Sequence, residues 1–281
     1  MIFSKTNNYS WFAIFVITIW FNVDRGTAAD NNNSNSWINN PEVELPPSMI
    51  ICTRNAPAKE RNECIQKSIN SLLPTLKDGY PPLGINSIDP YTVKKTTLAF
   101  KQGPVTARLY MKDAMSSGLT KGRVKAVRSK VNDNKMYLEI DVHFPKLRNS
   151  ANYKGSGGYN DLKVNSAGTA NVSHTSISST WKMYGKIETV NGEDYMMIKA
   201  FEVAKLDIKN MEFNATGIFP EPELNEFVVQ FVNQYWSTFY HQLLPQARSM
   251  YEPIVLEAIN KVFARVPFRR LMPKDETIKS E

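Results

Sequence analysis

The chain has few of the residues on which metal sites, redox sites and disulfide-rich folds depend. Its 281 residues include only two cysteines and three histidines. Two cysteines exclude a disulfide-dense small fold and a four-thiolate zinc site, and no two histidines have metal-ligand spacing on one element. There is no nucleophile elbow, and the glycine-rich run at 155–158 lacks the Lys-Ser/Thr of a phosphate-binding loop, so we predict a flexible turn there. We therefore predict no catalytic residue, no metal, no cofactor and no enzymatic activity.

The chain also lacks any strong bias in charge or hydropathy. Hydrophobic residues make up 42% of it, charged residues 22%, and the net charge is +7. These values exclude a disordered chain and a multi-span membrane protein, and a chain of this length can bury a large core. The positive charge is too diffuse to indicate a nucleic-acid partner.

The apolar run at residues 11–21 is shorter than the ~20 residues that a membrane-spanning helix needs. It follows Lys5 and precedes small residues that end in Ala28 and Ala29, which is typical of a secretory signal peptide; a membrane anchor is the alternative. We predict a signal peptide at 1–29, cleaved after Ala28 or Ala29, a flexible lead-in at 30–45 and one domain at 46–275. The predicted protein is secreted, and its mature charge of about +6 remains basic.

Secretion gives the two cysteines a role. Cys52 and Cys64 enclose eleven residues, and in an oxidising compartment we expect them to form a disulfide worth ~3 kcal/mol on the chain-entropy model. The alternative is a reactive thiol pair, which would need a lowered pKa and closer spacing. Asn32, Asn171 and Asn214 lie in Asn-X-Ser/Thr sequences and are candidate glycosylation sites.

Hydrophobic periodicity changes twice along the chain. A 3.6-residue period from Ile65 to Leu76 predicts an amphipathic helix. Alternation from Met136 to Phe144 predicts a strand whose hairpin partner is 124–131, and further alternating segments at 181–188 and 204–208 surround an Asn191-Gly192 turn signal. Because no helix separates these strands, we predict an antiparallel sheet rather than a doubly wound nucleotide-binding fold.

The last third returns to helical spacing over residues 224–263. A continuous helix of that length would run ~60 Å, and Pro245 and Pro253 are expected to kink it. Its apolar stripe is broad and rich in aromatic residues, so most of its circumference needs cover, which only the sheet can supply. The predicted fold class is α+β, with one long C-terminal helix lying in a strongly curved antiparallel sheet.

The order of short motifs along the chain resembles the insect takeout/juvenile-hormone-binding protein family. The resemblance covers nearly the whole predicted mature chain. In order, the motifs are Cys52-x11-Cys64, Leu72-Leu-Pro-Thr-Leu-Lys-Asp-Gly79, Pro81-Pro-Leu-Gly84, Ile88-Asp-Pro90, Gly118-Leu-Thr120, Phe144-Pro-Lys-Leu-Arg148, Thr180-Trp-Lys-Met-Tyr-Gly185, Asn233-Gln-Tyr-Trp236, Val266-Pro-Phe268 and Leu271-Met-Pro273. The single cysteine pair, where dedicated hormone carriers usually have a second bridge, favours the takeout-like branch. Tyr80-Pro-Pro also departs from the more usual Ile-Pro-Glu after Gly79.

This resemblance implies a secreted carrier with a tubular lipid-binding fold that encloses an apolar tunnel, and a disulfide between the two cysteines. The expected ligand is a juvenile-hormone-like terpenoid or a fatty-acid-like lipid, and the expected carrier is a monomer. The candidate ligand-binding residues are Phe144, Trp181, Met183, Phe201, Phe227, Phe231, Trp236 and Phe239, although for any one of them taken alone ordinary core packing is a better explanation than ligand contact. The alternative function is a basic peripheral module that binds anionic membrane or glycan surfaces through 121–130 and 265–270. Transient contact with a membrane surface is also compatible with the carrier.

Overall fold

A computed structural model describes residues 43–102, 105–159 and 162–278. The predicted signal peptide and most of the lead-in lie outside the described residues, and so does Asn32. The helices are α1 (Ala58–Thr75), α2 (Pro222–Phe263) and the short α3 (Phe268–Leu271). The strands are β1 (Tyr91–Gln102), β2 (Val105–Ser117), β3 (Arg123–Val131), β4 (Lys135–Tyr159), β5 (Leu162–Val190) and β6 (Glu193–Ala215).

All six strands form one antiparallel sheet, as the alternating pattern predicts. The strand order is β1-β2-β4-β5-β6. Strand β3 lies outside this order and pairs with β4. Strands β4 and β5 are 25 and 29 residues long, and their pairing runs from Lys135 opposite Lys186 to Tyr159 opposite Leu162. Strand β3 pairs with the first part of β4 and β2 with the second part, so the sheet has two successive regions along these long strands.

The turn residues form the hairpins that the sequence predicts. The side-chain oxygen of Asn132 accepts hydrogen bonds from the backbone N–H groups of Asn134 and Lys135, at 3.0 and 2.9 Å, which closes the β3–β4 turn. Asn191 and Gly192 have φ angles of +54° and +80°, the left-handed pair that a two-residue type I′ hairpin requires. They join β5 to β6.

The predicted flexible turn at residues 155–158 is wrong, because this glycine-rich run lies inside β4. A side chain at Gly155 would come within 2.6 Å of the Ser166 hydroxyl oxygen and within 3.0 Å of Leu109. The run therefore marks a close approach between β2, β4 and β5 and not a chain reversal.

Helix α2 is continuous over 42 residues and includes Pro245 and Pro253. At 1.5 Å per residue it is about 63 Å long. It lies along the free edge of β6, and its amide side chains bind backbone groups there. Asn233 binds both the N–H and the carbonyl of Phe213, at 2.7 and 2.8 Å, and Asn260 binds both groups of Ile198, each at 2.8 Å. The helix thus occupies hydrogen-bonding positions that a further strand would otherwise take.

The interior contains two main hydrophobic clusters, one in each region of the sheet. The first cluster joins β3, the first part of β4, the disulfide and α1 to the later turns of α2. The second joins β1, β2 and the second part of β4 to Val228 and Val232 near the start of α2. Trp236 packs against both clusters. One apolar interior therefore runs along the helix.

The two cysteines form the predicted disulfide, with Cα atoms 5.8 Å apart. Beside it, Arg61 is only 9% exposed, and its guanidinium donates to the Ser129 hydroxyl and carbonyl oxygens and to the carbonyls of Arg54 and Ala56. Burial lowers the pKa of Arg61 from its ordinary value. These hydrogen bonds fasten α1 and the disulfide segment to β3.

Candidate ligand-binding interior

The inward face of the sheet carries three aromatic rings in a row across β4, β5 and β6. The ring centroids of Phe144 and Trp181 are 6.1 Å apart, and those of Trp181 and Phe201 are 6.2 Å apart in an edge-to-face arrangement. Phe144 and Phe201 are buried, whereas Trp181 stays partly accessible. The buried Met183 pairs in register with Phe201 on the same face. The structure therefore brings together the four strand residues singled out from the sequence.

The opposite wall is the inward side of α2. Phe231 and Trp236 both pack against the first cluster, and both remain partly accessible. The Trp236 ring lies edge-on to Tyr240, with centroids 6.3 Å apart. Aromatic surface thus faces the interior from both the helix and the sheet, which is the type of lining that apolar ligand cavities have.

The remaining two candidates do not join this group in the described structure. The Phe227 side chain is 62% exposed and stacks on Phe231, with ring centroids 6.4 Å apart. Its position is on the outer side of the helix, near the exposed Leu224 and Tyr235. Phe239 lies in α2, but its side chain is outside the described residues. The ligand-binding role of all eight residues stays a prediction.

Among the buried polar residues that the structure describes, Ser116, Asn149 and His174 lie on neighbouring strands in the second region of the sheet. Ser116 on β2 and Asn149 on β4 are direct register partners. His174 on β5 pairs with Leu147 and Met211, and it is only 1% exposed. Burial lowers the pKa of His174 to about 3, so its imidazole is neutral at physiological pH.

Asn149 and His174 were not among the predicted site residues, because the alternation of buried and exposed positions shifts by one residue within β4 and within β5. On β4 the buried series runs Val142, Phe144 and then Leu147, and on β5 it passes from His174 to Ile177. Ser176 has a φ of +54°, which marks the irregularity on β5. Pro145 is the one local signal in the sequence that could have indicated it, since proline interrupts regular strand pairing.

The basic segments of the alternative function are partly neutralised within the fold. Arg128 forms ion pairs with Glu139 and Asp141, at 2.6 and 2.9 Å, and these hydrogen bonds lower the pKa of both carboxyls. Arg269 pairs with Glu193 at 3.0 Å. Both segments therefore present less net positive charge than their sequences indicate.

Two negative findings apply to residues 43–102, 105–159 and 162–278. No cluster of three or more His, Cys, Asp or Glu side chains in these ranges could hold a metal ion. No helix in them combines the length and the apolar composition needed to cross a membrane.

The described structure thus combines a long helix, an antiparallel sheet and aromatic side chains that face the interior from both. The family model described as haemolymph juvenile hormone binding protein matches residues 33–273. The chain belongs to this family, whose members bind hydrophobic ligands and are generally secreted. The resemblance inferred from the sequence is confirmed.

A solved structure shows the same fold. Takeout 1 of Epiphyas postvittana superposes with a TM-score of 0.62 at 20% sequence identity, over 80% of this chain and 99% of that one. A lipopolysaccharide binding protein matches with a TM-score of 0.31 at 10% identity, over 60% of this chain and 34% of that one, which is too distant to define a fold. No curated protein sequence matches the chain.

Proposed function

We propose that the protein is a secreted, non-enzymatic carrier that holds a small hydrophobic ligand between α2 and the inward face of the sheet. The observation that carries the proposal concerns Trp181 on the sheet and Trp236 on the helix. Both pack against the interior clusters, yet neither is fully buried. A ligand that covers such surface gains ~25 cal/mol per Å² of apolar area removed from water.

Terpenoids and acyl lipids fit this lining because they are long, flexible and largely apolar. The proposed contact residues are Phe144, Trp181, Met183, Phe201, Phe231 and Trp236. Family membership supports the carrier role and, with the disulfide, a secreted location. The exposed Asn171 and Asn214 are direct register partners on β5 and β6, so a glycan on either residue would extend away from the interior.

Energy transfer from tryptophan to a bound fluorescent acyl methyl ester tests the proposal. The predicted mature chain has three tryptophans, and replacing Trp37 by Phe in every sample leaves only Trp181 and Trp236 as donors. We expect saturable binding, with energy transfer that falls in both Trp181→Phe and Trp236→Phe.

The exposed Leu224 near the start of α2 supplies the control. Leu224→Ala should leave both the affinity and the energy transfer unchanged, because its side chain is exposed and belongs to neither interior cluster. Absence of probe binding to the unsubstituted protein would overturn the proposal. Binding that is lost in Leu224→Ala while Trp181→Phe has no effect would also overturn it, because the probe would then be on the surface.

A further inference from the structure

The interior contains one amide whose hydrogen-bonding groups are not satisfied by the described part of the chain. Asn149 is only 3% exposed, and neither its Nδ2 nor its Oδ1 atom has a hydrogen-bonding partner there. A buried amide without partners is destabilising, because its donor and acceptor lose their hydrogen bonds to water and gain none in return. Native structures rarely keep such a group unless a water molecule, an ion or a ligand completes it.

Asn149 lies in an apolar part of the interior. Along β4 its neighbours on the same face are Leu147 and Ala151, which are 1% and 5% exposed. Across the sheet it pairs with Ser116 on β2 and with Val172 on β5. Both of these partners are also buried, so the amide lies on the inward face of the sheet, away from bulk solvent.

His174 adds a second polar group to this location. It lies two residues beyond Val172 on β5 and on the same face, which places it diagonally opposite Asn149 at a Cβ separation of about 7 Å. The imidazole is uncharged because burial lowers its pKa to about 3. The surroundings of Asn149 therefore contain a hydroxyl, an amide and a neutral imidazole.

Among the fully buried residues that the structure describes, none places a cation beside these groups. Arg61 is the one member of that set with a positive charge, and the partly buried Arg248 donates to the carbonyl of Ala204 on β6. The Arg61 guanidinium binds Ser129, which pairs with Leu138, eleven residues before Asn149 on β4. That separation corresponds to about 36 Å along an extended strand. An ionised carboxylate at Asn149 would therefore lose its hydration without gaining an ion pair, at a high cost.

We infer that Asn149, with Ser116 opposite it, binds an uncharged oxygen group of the ligand, while the apolar part of the ligand lies along the aromatic walls. The amide N–H can donate to an ester or ketone carbonyl, and the amide oxygen can accept from a hydroxyl. This inference rests on the proposed function and narrows it, because it selects neutral esters, ketones and alcohols over free fatty acids.

Competition between matched ligands tests the inference. A long-chain methyl ester, its free acid and the alkane of equal length are each used to displace the fluorescent methyl ester at neutral pH. For the unsubstituted protein we expect the ester to bind about tenfold more tightly than the alkane, as one net hydrogen bond of ~1.4 kcal/mol requires. The ester should also bind more tightly than the ionised acid.

Asn149→Leu removes the amide with little change in volume. We expect the ester affinity to fall about tenfold while the alkane affinity stays the same, and the ligand-free variant should be at least as stable to heat as the parent. Ser150→Ala, the next position on β4 and on the opposite face, is the control and should change neither affinity.

The outcomes separate the inference from the function on which it rests. If no ligand or probe binds the unsubstituted protein, the proposed function fails. If the ligands bind but Asn149→Leu weakens ester and alkane equally, or weakens neither, the inference is overturned while the carrier function stands. Tighter binding of the free acid than of the ester would overturn the inference in the same way.

Discussion

Removing the Asn260 side chain should weaken the attachment of α2 to the sheet. Asn260 accepts a hydrogen bond from the Ile198 N–H and donates one to the Ile198 carbonyl, each at 2.8 Å. Because β6 is an edge strand, no neighbouring strand is available to these two backbone groups. Ile198 is 2% exposed, so water has little access to replace the lost partner.

The expected cost of Asn260→Ala follows from these contacts. Two hydrogen bonds at about 1 kcal/mol each are lost, and the buried backbone groups of Ile198 remain without partners, which raises the loss to about 3 kcal/mol. Alanine has the higher helix propensity and returns about 0.5 kcal/mol. We therefore predict that the free energy of unfolding falls by about 2–3 kcal/mol.

Equilibrium denaturation followed by tryptophan fluorescence measures this loss, and amide hydrogen exchange locates it. The Ile198 amide should exchange faster in Asn260→Ala, whereas the Phe213 amide should stay protected because Asn233 still binds it. The exposed Gln234 on the same helix gives the control, since Gln234→Ala should change stability by less than 0.5 kcal/mol. A loss below 0.5 kcal/mol in Asn260→Ala, with unchanged protection of Ile198, would refute the proposed attachment.

Three further substitutions test other parts of the structure. In the folded protein His174 is not protonated until the pH approaches 3, whereas in the unfolded chain it is protonated near pH 6.5. Between pH 7 and pH 5 the free energy of unfolding should therefore fall by about 2 kcal/mol more in the parent than in His174→Gln. Denaturation at each pH measures this difference. Burial alone would raise the pKa of Asp89, but hydrogen bonds from Thr120 and Gly118 lower it overall. The carboxylate therefore stabilises the fold above pH ~4, and this contribution is lost on further acidification. Asp89→Ala should lower the free energy of unfolding by about 1–3 kcal/mol at pH 7 and by less at pH 3. Arg61→Lys keeps the charge but not the planar set of donors, so the melting temperature should fall, and an unchanged value would contradict the bridging role of Arg61.

The strands, the β5–β6 hairpin and the long helix could be predicted because each is indicated by a pattern of residues that lie close together in the sequence. The alternation from Met136 to Phe144 identifies a strand with one buried face, and all five apolar residues of that series are buried. The Asn191-Gly192 pair supplies the left-handed conformations of a two-residue hairpin, which few other sequences provide. The helical period after Leu224 identifies α2 because it continues for eleven turns.

The polar part of the candidate site could not be predicted because its position depends on irregular pairing. Continuing the alternation past Phe144 places residues 146, 148 and 150 inward, whereas the structure buries Leu147, Asn149 and Ala151. When the alternation of inward and outward side chains shifts by one residue, every later side chain of the strand lies on the other face of the sheet. The contacts of Asn233 and Asn260 with β6 could not be predicted either, because in sequence an asparagine that binds a strand edge cannot be distinguished from any other polar residue on a helix.

Native mass spectrometry of the protein purified after secretion from insect cells is the decisive experiment on the proposed carrier function. We expect a population whose mass exceeds that of the polypeptide and its glycans by the mass of one small molecule. Organic solvent should release this molecule, and it should carry an uncharged oxygen group. If only the polypeptide and glycan masses are found, and the protein takes up no added methyl ester, it is not a carrier of such ligands.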